Sequence, residues 1–355
     1  MTLIDLDEMF DSPQGLTKAP GDFTRNSRGT PYVSHPDGDT VKSGKRKGEV
    51  KWCAYGRPSS LGKDIENSFG LQRWRERKIV HGIAKALSGE WDNTVEIALD
   101  RVGGAEFDDC LGELDAIVVL AKKFAKANLA AQQGTHVHEL AEDDDIGVDE
   151  RDPILRMERG EEHELPIEVQ QAMLEAWRQG CKAYGLVMLE VERKVVHDGW
   201  RQAGTLDRLA LLTQDITFAN GVKLPAGTVI LLDIKTGKIT VTNDKVEYWH
   251  NYAVQCAVYA AAQPYDAETD TRGEWEHDIN QDWAIIAHLP VKEALAGKAT
   301  LRLVLCDIKA GREAIATIVE PMQAWQARRD LFAFTHEDEP TIVIDVPGAP
   351  DESAS

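Results

Sequence analysis

Hydrophobic positions along this chain fall into two regimes. From about residue 64 to 184 they recur at helical spacing, and from Leu186 they alternate or run together as they do in strands. Residues 64–87 set Leu71, Trp74, Ile79 and Ile83 near helical spacing and predict a helix, and further helices are expected at 92–100 and 110–131. Gly134 to Glu142 begins a helix or continues the one before it. Residues 166–184 predict another, with Pro166 suited to a first turn and Val169, Met173 and Trp177 forming a stripe. Leu186–Val196 then alternates and is rich in valine, which predicts a strand, with Ala203–Leu212 as a second. Asn220 to Gly227 is turn chemistry. Thr228 to Gly237 is apolar at nearly every position, which predicts a central strand covered on both faces. Residues 244–262 predict a strong helix capped by Asn243 or Asp244, followed by strands at 282–289 and 300–308 and a helix at about 312–333. Residues 1–50 read as mostly irregular, with one short strand near Pro31–Ser34. The pattern predicts an α/β protein with a largely helical N-terminal region at 51–130 and an acidic tail at 336–355.

Composition narrows the class. The chain has 355 residues, 43% of them hydrophobic and 28% charged, which is ordinary for a protein with a sizeable core. No apolar run approaches the roughly 18 residues of a membrane helix, and MTLIDLDEMF is acidic where a secretory signal would be basic. The five cysteines (Cys53, Cys110, Cys181, Cys256, Cys306) are far apart and form no CxxC pair, which argues for reduced thiols, a cytoplasmic location and no four-cysteine metal or iron–sulfur site.

The formal charge of −20 argues, as a total, against a nucleic-acid partner. Its distribution changes that conclusion. Glu142 to Glu168 carries twelve acids against three arginines, and Asp266 to Asp282 carries seven against Arg272. Lys42 to Lys78 instead carries eleven Lys/Arg against four acids, a net of +7. A polyanion responds to the local field, so this region remains free to meet phosphate. Within it Arg73 and Arg75 flank Trp74, a combination suited to backbone contact and base stacking on DNA; a packed helix with Trp74 in the core is the other reading.

Candidate chemistry lies in four segments: Gly134-Thr135-His136-Val137-His138, Gly204-Thr205-Leu206-Asp207-Arg208, Asp233-Ile234-Lys235-Thr236-Gly237 and Gln255-Cys256-Ala257-Val258-Tyr259. Asp207 and Asp233 sit in otherwise apolar strands, where an unpaired carboxylate is costly to desolvate. On neighbouring strands they converge and can share a divalent cation of the Mg²⁺ type. Asp233 and Lys235 are two apart and share a strand face, and an ammonium there favours a deprotonated water and stabilises charge on a phosphoryl group. That is the equipment of phosphodiester hydrolysis. Gln255 and Tyr259 share one helix face.

Taken in order, these segments resemble the signature of the PD-(D/E)xK nuclease superfamily, in its RecB-like exonuclease branch: a GTxxH helix, a GTxD strand, a D/E-x-K strand followed by TG, and a QxxxY helix. The resemblance covers about residues 130–262, and more loosely the chain to about 335. It implies a restriction-endonuclease-like core over 131–335, a mixed central sheet flanked by helices, with the acidic 142–168 as an insertion. It further implies His138, Asp207, Asp233 and the Ile234 carbonyl as ligands to Mg²⁺ or Mn²⁺, Lys235 as the catalytic lysine beside Asp207 and Asp233, and Gln255 and Tyr259 on the DNA strand. Glu192 is the additional acid of some members, with Glu190 an open alternative two residues away.

Three departures shape the expectation. The iron–sulfur cysteines of the CRISPR-associated relatives are missing. Gly56 to Lys63 has one residue too many for a nucleotide-binding P-loop, and His138-Glu139-Leu140-Ala141-Glu142 lacks the second histidine of a zincin helix. His136 reads as a surface residue. The expected activity is a metal-dependent DNA exonuclease of phage or bacterial recombination, replication or repair, preparing DNA ends for a strand-annealing or recombinase protein. The alternatives are a structure-specific endonuclease and a non-catalytic DNA-binding or assembly protein that keeps the fold.

Overall fold

The valine- and leucine-rich segments after Gly185 assemble into a seven-stranded mixed sheet that fixes the rest of the architecture. The computed structural model describes residues 22–26, 29–61, 69–90, 94–146, 164–237, 240–242, 245–247, 251–326 and 328. Its strands are β1 (Thr24–Arg25), β2 (Pro31–Ser34), β3 (Trp52–Ala54), β4 (Leu186–His197), β5 (Gln202–Leu212), β6 (Ile216–Thr217), β7 (Lys223–Leu224), β8 (Val229–Lys235), β9 (Thr240–Thr242), β10 (Lys245–Glu247), β11 (Gln263–Asp266), β12 (Thr271–Arg272), β13 (Trp283–His288) and β14 (Arg302–Asp307). The helices are α1 (Pro58–Leu61), α2 (Phe69–Lys85), α3 (Thr94–Gly103), α4 (Leu111–Phe124), α5 (Leu129–Asp145), α6 (Ile167–Tyr184), α7 (Asn251–Ala261), α8 (Val291–Leu295), α9 (Ile308–Ala314) and α10 (Glu320–Gln326).

The large sheet runs β12-β11-β4-β5-β8-β13-β14. All its neighbours are antiparallel except β8 and β13, which pair in parallel with Asp233 beside Ile286 and Lys235 beside His288. Ile230, Leu231, Leu232 and Ile234 of β8 are essentially inaccessible, as expected for a strand covered on both faces. Burying one such side chain contributes about 1.5–3 kcal/mol. On one face Leu206, Leu209 and Leu231 pack with Val254, Ala257 and Val258 of α7 and Ile308 of α9. On the other, Leu212, Ile230, Leu232 and Ile234 pack with Val137 and Ala141 of α5 and Met173 and Trp177 of α6. The site forms where these two layers meet the end of β8.

The N-terminal arm belongs to this body. Strands β1, β2 and β3 form a small sheet, Gly56 bridges to Gln202, and Leu61 reaches the core under α7. Arg272 donates to Asp198 at 2.8 and 2.9 Å and to the Ser34 carbonyl at 2.8 Å, while the Tyr55 hydroxyl donates to Asp198 at 2.6 Å. Arg272 and Tyr55 together hold the Asp198 carboxyl below its usual range against the opposing effect of burial. The small sheet pairs β2 with β3, so it crosses the expected boundary at residue 51.

Several boundaries differ from the sequence expectation for local reasons. The GTHVH segment continues α5 from Leu129. Glu142–Asp145 extends that helix, because Asp144 and Asp145 find arginine partners at 2.6 Å in Arg178 and Arg208. The remainder of the acidic segment, 147–163, lies outside the described residues, as do 64–68, the cap at Asn243 or Asp244 and the tail from 329. Helix α7 starts at Asn251, since Lys245–Glu247 pairs with β9 as a hairpin. The last predicted helix starts at Ile308, where the Asp307 side chain accepts from the Ala310 amide at 2.9 Å.

The anchoring of the arm gives a direct test. Asp198→Ala removes the shared acceptor of Tyr55 and Arg272 and is expected to cost about 1.5–3 kcal/mol, the range for hydrogen bonds to a charged group. Limited proteolysis should then cut within 22–61 faster than in the parent protein; equal resistance would show that these contacts do not hold the arm.

Candidate active site

The β5–β8 ladder ends at Arg208 opposite Leu232. Where the strands part, the Asp207 side chain occupies the gap, and its Oδ2 accepts the Ile234 backbone N–H at 2.7 Å. The same oxygen lies 3.5 Å from His138 Nδ1 on α5. Asp207 thus joins two strands and a helix at one point. Its side chain is 14% exposed and that of His138 28%, so both are reachable from solvent.

Asp233 lies on the opposite lip of the fork and is 1% exposed. Lys235 Nζ lies 2.5 Å from its Oδ2, and Gln255 Nε2 donates to its Oδ1 at 3.1 Å. The ammonium also sits 5.0 Å above the Tyr252 ring, a cation–π contact that holds the lysine over α7. The two-residue spacing on β8 therefore produces the shared face read from the sequence, and Gln255 closes it from beneath.

The glycines of two motifs are sites of close approach. A side chain at Gly134 would overlap Thr236 Oγ1 at 2.8 Å, and one at Gly204 would press on Pro58 and on Tyr259 at 3.0 and 3.2 Å. GTHVH therefore touches DIKTG, and GTLD touches QCAVY. All four motifs converge on the fork.

The strand alternation slips here. Leu206 and Leu209, three residues apart, both enter the core under α7, so Asp207 and Arg208 both contact α5. On the neighbouring strand Glu192 adopts φ 48°, a left-handed conformation that costs a non-glycine residue about 1–3 kcal/mol and that clusters at functional sites. This turns Glu192 into a group with His138 and Asp207 whose ligand atoms lie within 4.8 Å of one another. Glu190 stands opposite Leu209, outside that group. Asp233 is also outside it, turned toward Lys235 and Gln255.

Arg208 is the principal feature that motif reading missed. Its guanidinium is fully buried; Nε meets Asp145 Oδ2 at 2.6 Å, and Nη1 meets Glu192 Oε1 at 3.0 Å and the Asp207 carbonyl at 2.6 Å. Asp145 is further fixed by Trp177 Nε1 at 3.0 Å. The signal was present as a charged residue between Leu206 and Leu209 in a buried strand, where ionised groups occur only when paired. Glu142 was likewise passed over; it lines an open cleft of about 380 Å³ with Gly134, Thr135, His138, Glu139 and Glu192.

Crowding of acids sets the electrostatics. Burial, aided by the Asp207 charge and opposed by Arg208, pushes the Glu192 carboxyl up to about 7. Burial also raises Asp233 to about 6, with Lys235 opposing and Asp207 adding to the rise. Lys235 is pulled down by burial but more strongly up by the Asp233 and Asp207 carboxylates, so it stays an ammonium across the physiological range. Two carboxyls at the fork are thus held above their usual range, beside an imidazole and an open cleft.

Other expectations are corrected. His136 is buried between α5 and α6, its Nε2 2.7 Å from Gln170 Oε1, because the helix turns it away from His138 toward the core. Trp74 is 44% exposed, with Lys78 Nζ 5.6 Å above its ring, so the core reading of that residue fails. Arg73 and Arg75 are exposed on α2, which packs on α4. No helix among the described residues is long and apolar enough to cross a membrane. Comparison with known families and with curated proteins finds no family model and no curated protein that matches the chain.

The raised Glu192 carboxyl has a signed consequence. Its folded pKa lies above the unfolded value, so ionisation opposes folding: the penalty is absent below about pH 4.5 and complete above about pH 7. In the presence of EDTA, the Tm of Glu192→Gln relative to the parent should therefore rise as pH increases from about 5 to about 8. A difference that stays flat or falls over that interval would contradict the assigned crowding.

Proposed function

We propose that the protein is a divalent-metal-dependent deoxyribonuclease, acting on DNA ends, with the PD-(D/E)xK core of the RecB-like exonuclease branch. The observation that carries this reading is the convergence of the four motifs on one fork, with His138, Glu192 and Asp207 grouped beside the Asp233–Lys235 pair. The donor set of one imidazole and hard carboxylate oxygens fits Mg²⁺ or Mn²⁺. The elevated Glu192 and Asp233 carboxyls fit a centre whose negative charge is to be balanced by such an ion. His138, Glu192 and Asp207 would hold it, with Asp233 alongside. When bound, the cation lowers the pKa of water and neutralises charge on the phosphodiester.

The chain's own residues supply the remainder. Lys235 presents a permanent positive charge at the mouth of the fork, where it orients the attacking water and stabilises the extra negative charge of the phosphoryl transition state. Asp233 fixes that ammonium, and Gln255 fixes Asp233. Arg208 keeps Glu192 aimed at the group while neutralising Asp145. Tyr259 packs against Gly204, and in this reading it contacts the DNA strand. The host cytoplasm, and a strand-annealing or recombinase partner that uses the processed end, complete the reading.

A gel assay of linear and circular duplex DNA tests it. Linear DNA should be degraded with Mg²⁺ or Mn²⁺ and spared with EDTA, while circular DNA stays intact. Lys235→Ala should lower the rate by at least about 10²-fold, the effect of removing one preorganised charge stabiliser, with the folded structure retained by circular dichroism. Full activity in that variant would refute the role given to the lysine, and cutting of circles would indicate an endonuclease. DNA binding without any metal-dependent cleavage would leave a non-catalytic DNA-binding protein.

A further inference from the structure

The large sheet ends differently on its two sides. At one edge β12 is only two residues long, and its Arg272 is tied to Asp198 and to Ser34 of the arm. At the other edge β14 runs for six residues and pairs with β13 along its whole length, without a bulge. Nothing among the described residues pairs with the outer side of β14. A long bare edge is a template for another strand, and proteins blunt such edges with lysine, proline, bulges or a covering element. Leu303, Val304, Leu305 and Cys306 supply none of these and are half-buried. The flanking charges are engaged elsewhere: Arg302 meets Glu293 of α8 at 2.6 Å, and Asp307 caps α9.

The backbone phase of β14 is fixed by its end. The Ile308 amide donates to the Asp282 carbonyl at 3.1 Å, one step beyond the Trp283–Asp307 pair. Alternation in an antiparallel ladder then turns the backbone groups of Val304 and Cys306 toward β13 and those of Leu303 and Leu305 outward. The side chains sort by face, with Val304 and Cys306 on the α7 side and Leu303 and Leu305 on the α6 side. A second β14 can meet this edge about a two-fold axis perpendicular to the sheet, which keeps like face beside like face. Val304 then stands opposite its own copy, and Leu303 opposite Leu305 of the partner subunit. The outward amides and carbonyls of both leucines find partners. Arg302 comes near Asp307 of the partner subunit, and the two-fold repeats this at the other end.

We propose that β14 is a homodimer interface, at which a second copy of the chain continues the sheet in antiparallel order, centred on Val304. Two features select a second copy over an unrelated strand. The inner positions are apolar on both faces, and the charges at the two ends complement themselves only when the strand is reversed. An isologous contact of this kind closes on itself, so it gives a dimer and not a filament. Strand β8 lies two strands in from the edge, so the two forks share one continuous sheet, about 24 Å apart at a strand spacing of about 4.8 Å. The interface stands on the geometry of the edge and holds whether or not the protein cleaves DNA.

Sedimentation velocity of the full chain over the micromolar range reads the assembly, and the parent should run as a dimer. Leu305→Pro deletes an outward-facing N–H and leaves the ladder to β13 intact, the setting in which an edge strand tolerates proline. It should run as a monomer with an unchanged far-UV spectrum. Opposed residues of a non-hydrogen-bonded antiparallel pair have Cα atoms about 4.5 Å apart, within disulfide reach. Val304→Cys should therefore give a linked dimer on oxidation with diamide, reversed by dithiothreitol. The parent, with Cys306 opposite Arg302 of the partner subunit, should give none. That cross-link decides the matter if Leu305→Pro does not fold. A parent that is monomeric throughout overturns the interface; protection of its Leu303 and Leu305 amides from hydrogen exchange would then mean that a different strand covers the edge. A dimer that persists in folded Leu305→Pro, or Val304→Cys that does not cross-link, overturns it as well.

Discussion

The hydrogen bond from the Ile234 amide to Asp207 is the constraint on which the site depends. A central strand cannot leave a buried N–H unmet, because an orphaned amide costs about 1–3 kcal/mol. Between β5 and β8 the ladder stops at Leu232, and an acidic side chain takes the next donor in place of a backbone carbonyl. The substitution opens the strands without losing the bond. It also pins a carboxylate at the opening, 3.5 Å from His138 and beside Asp233 and Glu192. A carbonyl in that place would have given a continuous sheet and no site.

Gathering acids in this way creates a charge problem, which the fold solves with two cations of different kinds. Arg208, wholly buried, neutralises Asp145 and Glu192 from behind and is held by planar, multiple contacts. Lys235, at the solvent side, answers Asp233 with a single ammonium. Breaking a buried pair of the first sort costs about 3–5 kcal/mol, so Arg208 is as much a part of the scaffold as the leucines around it. Lys235 is placed where its charge can act on something that enters. Asp145, Glu192 and Asp233 are thereby internal to ion pairs at the fork.

Strand and helix identity was legible in the sequence wherever the periodicity was strong, as in β8 and α6, and the order of motifs marked out Asp207, Asp233, Lys235 and His138. What could not be read depended on three-dimensional closure. The kink at Glu192 arises from the slip in alternation opposite Asp207, which no local pattern records. The extension of α5 through Glu142–Asp145 looked like the start of an acidic loop until Arg178 and Arg208 supplied partners from distant segments. The attachment of the arm likewise rests on long-range contacts of Tyr55, Asp198 and Arg272, in a stretch whose composition reads as irregular.

The account holds that Asp207 and Lys235 belong to one hydrolytic centre. A double-mutant cycle measures this directly, comparing single-turnover cleavage of linear DNA by the parent, Asp207→Asn, Lys235→Ala and the double variant at fixed Mn²⁺. Residues that act as a unit are strongly non-additive, so the double variant should be no slower than the slower single variant. Losses that multiply, or a parent protein with no metal-dependent cleavage to lose, would contradict it.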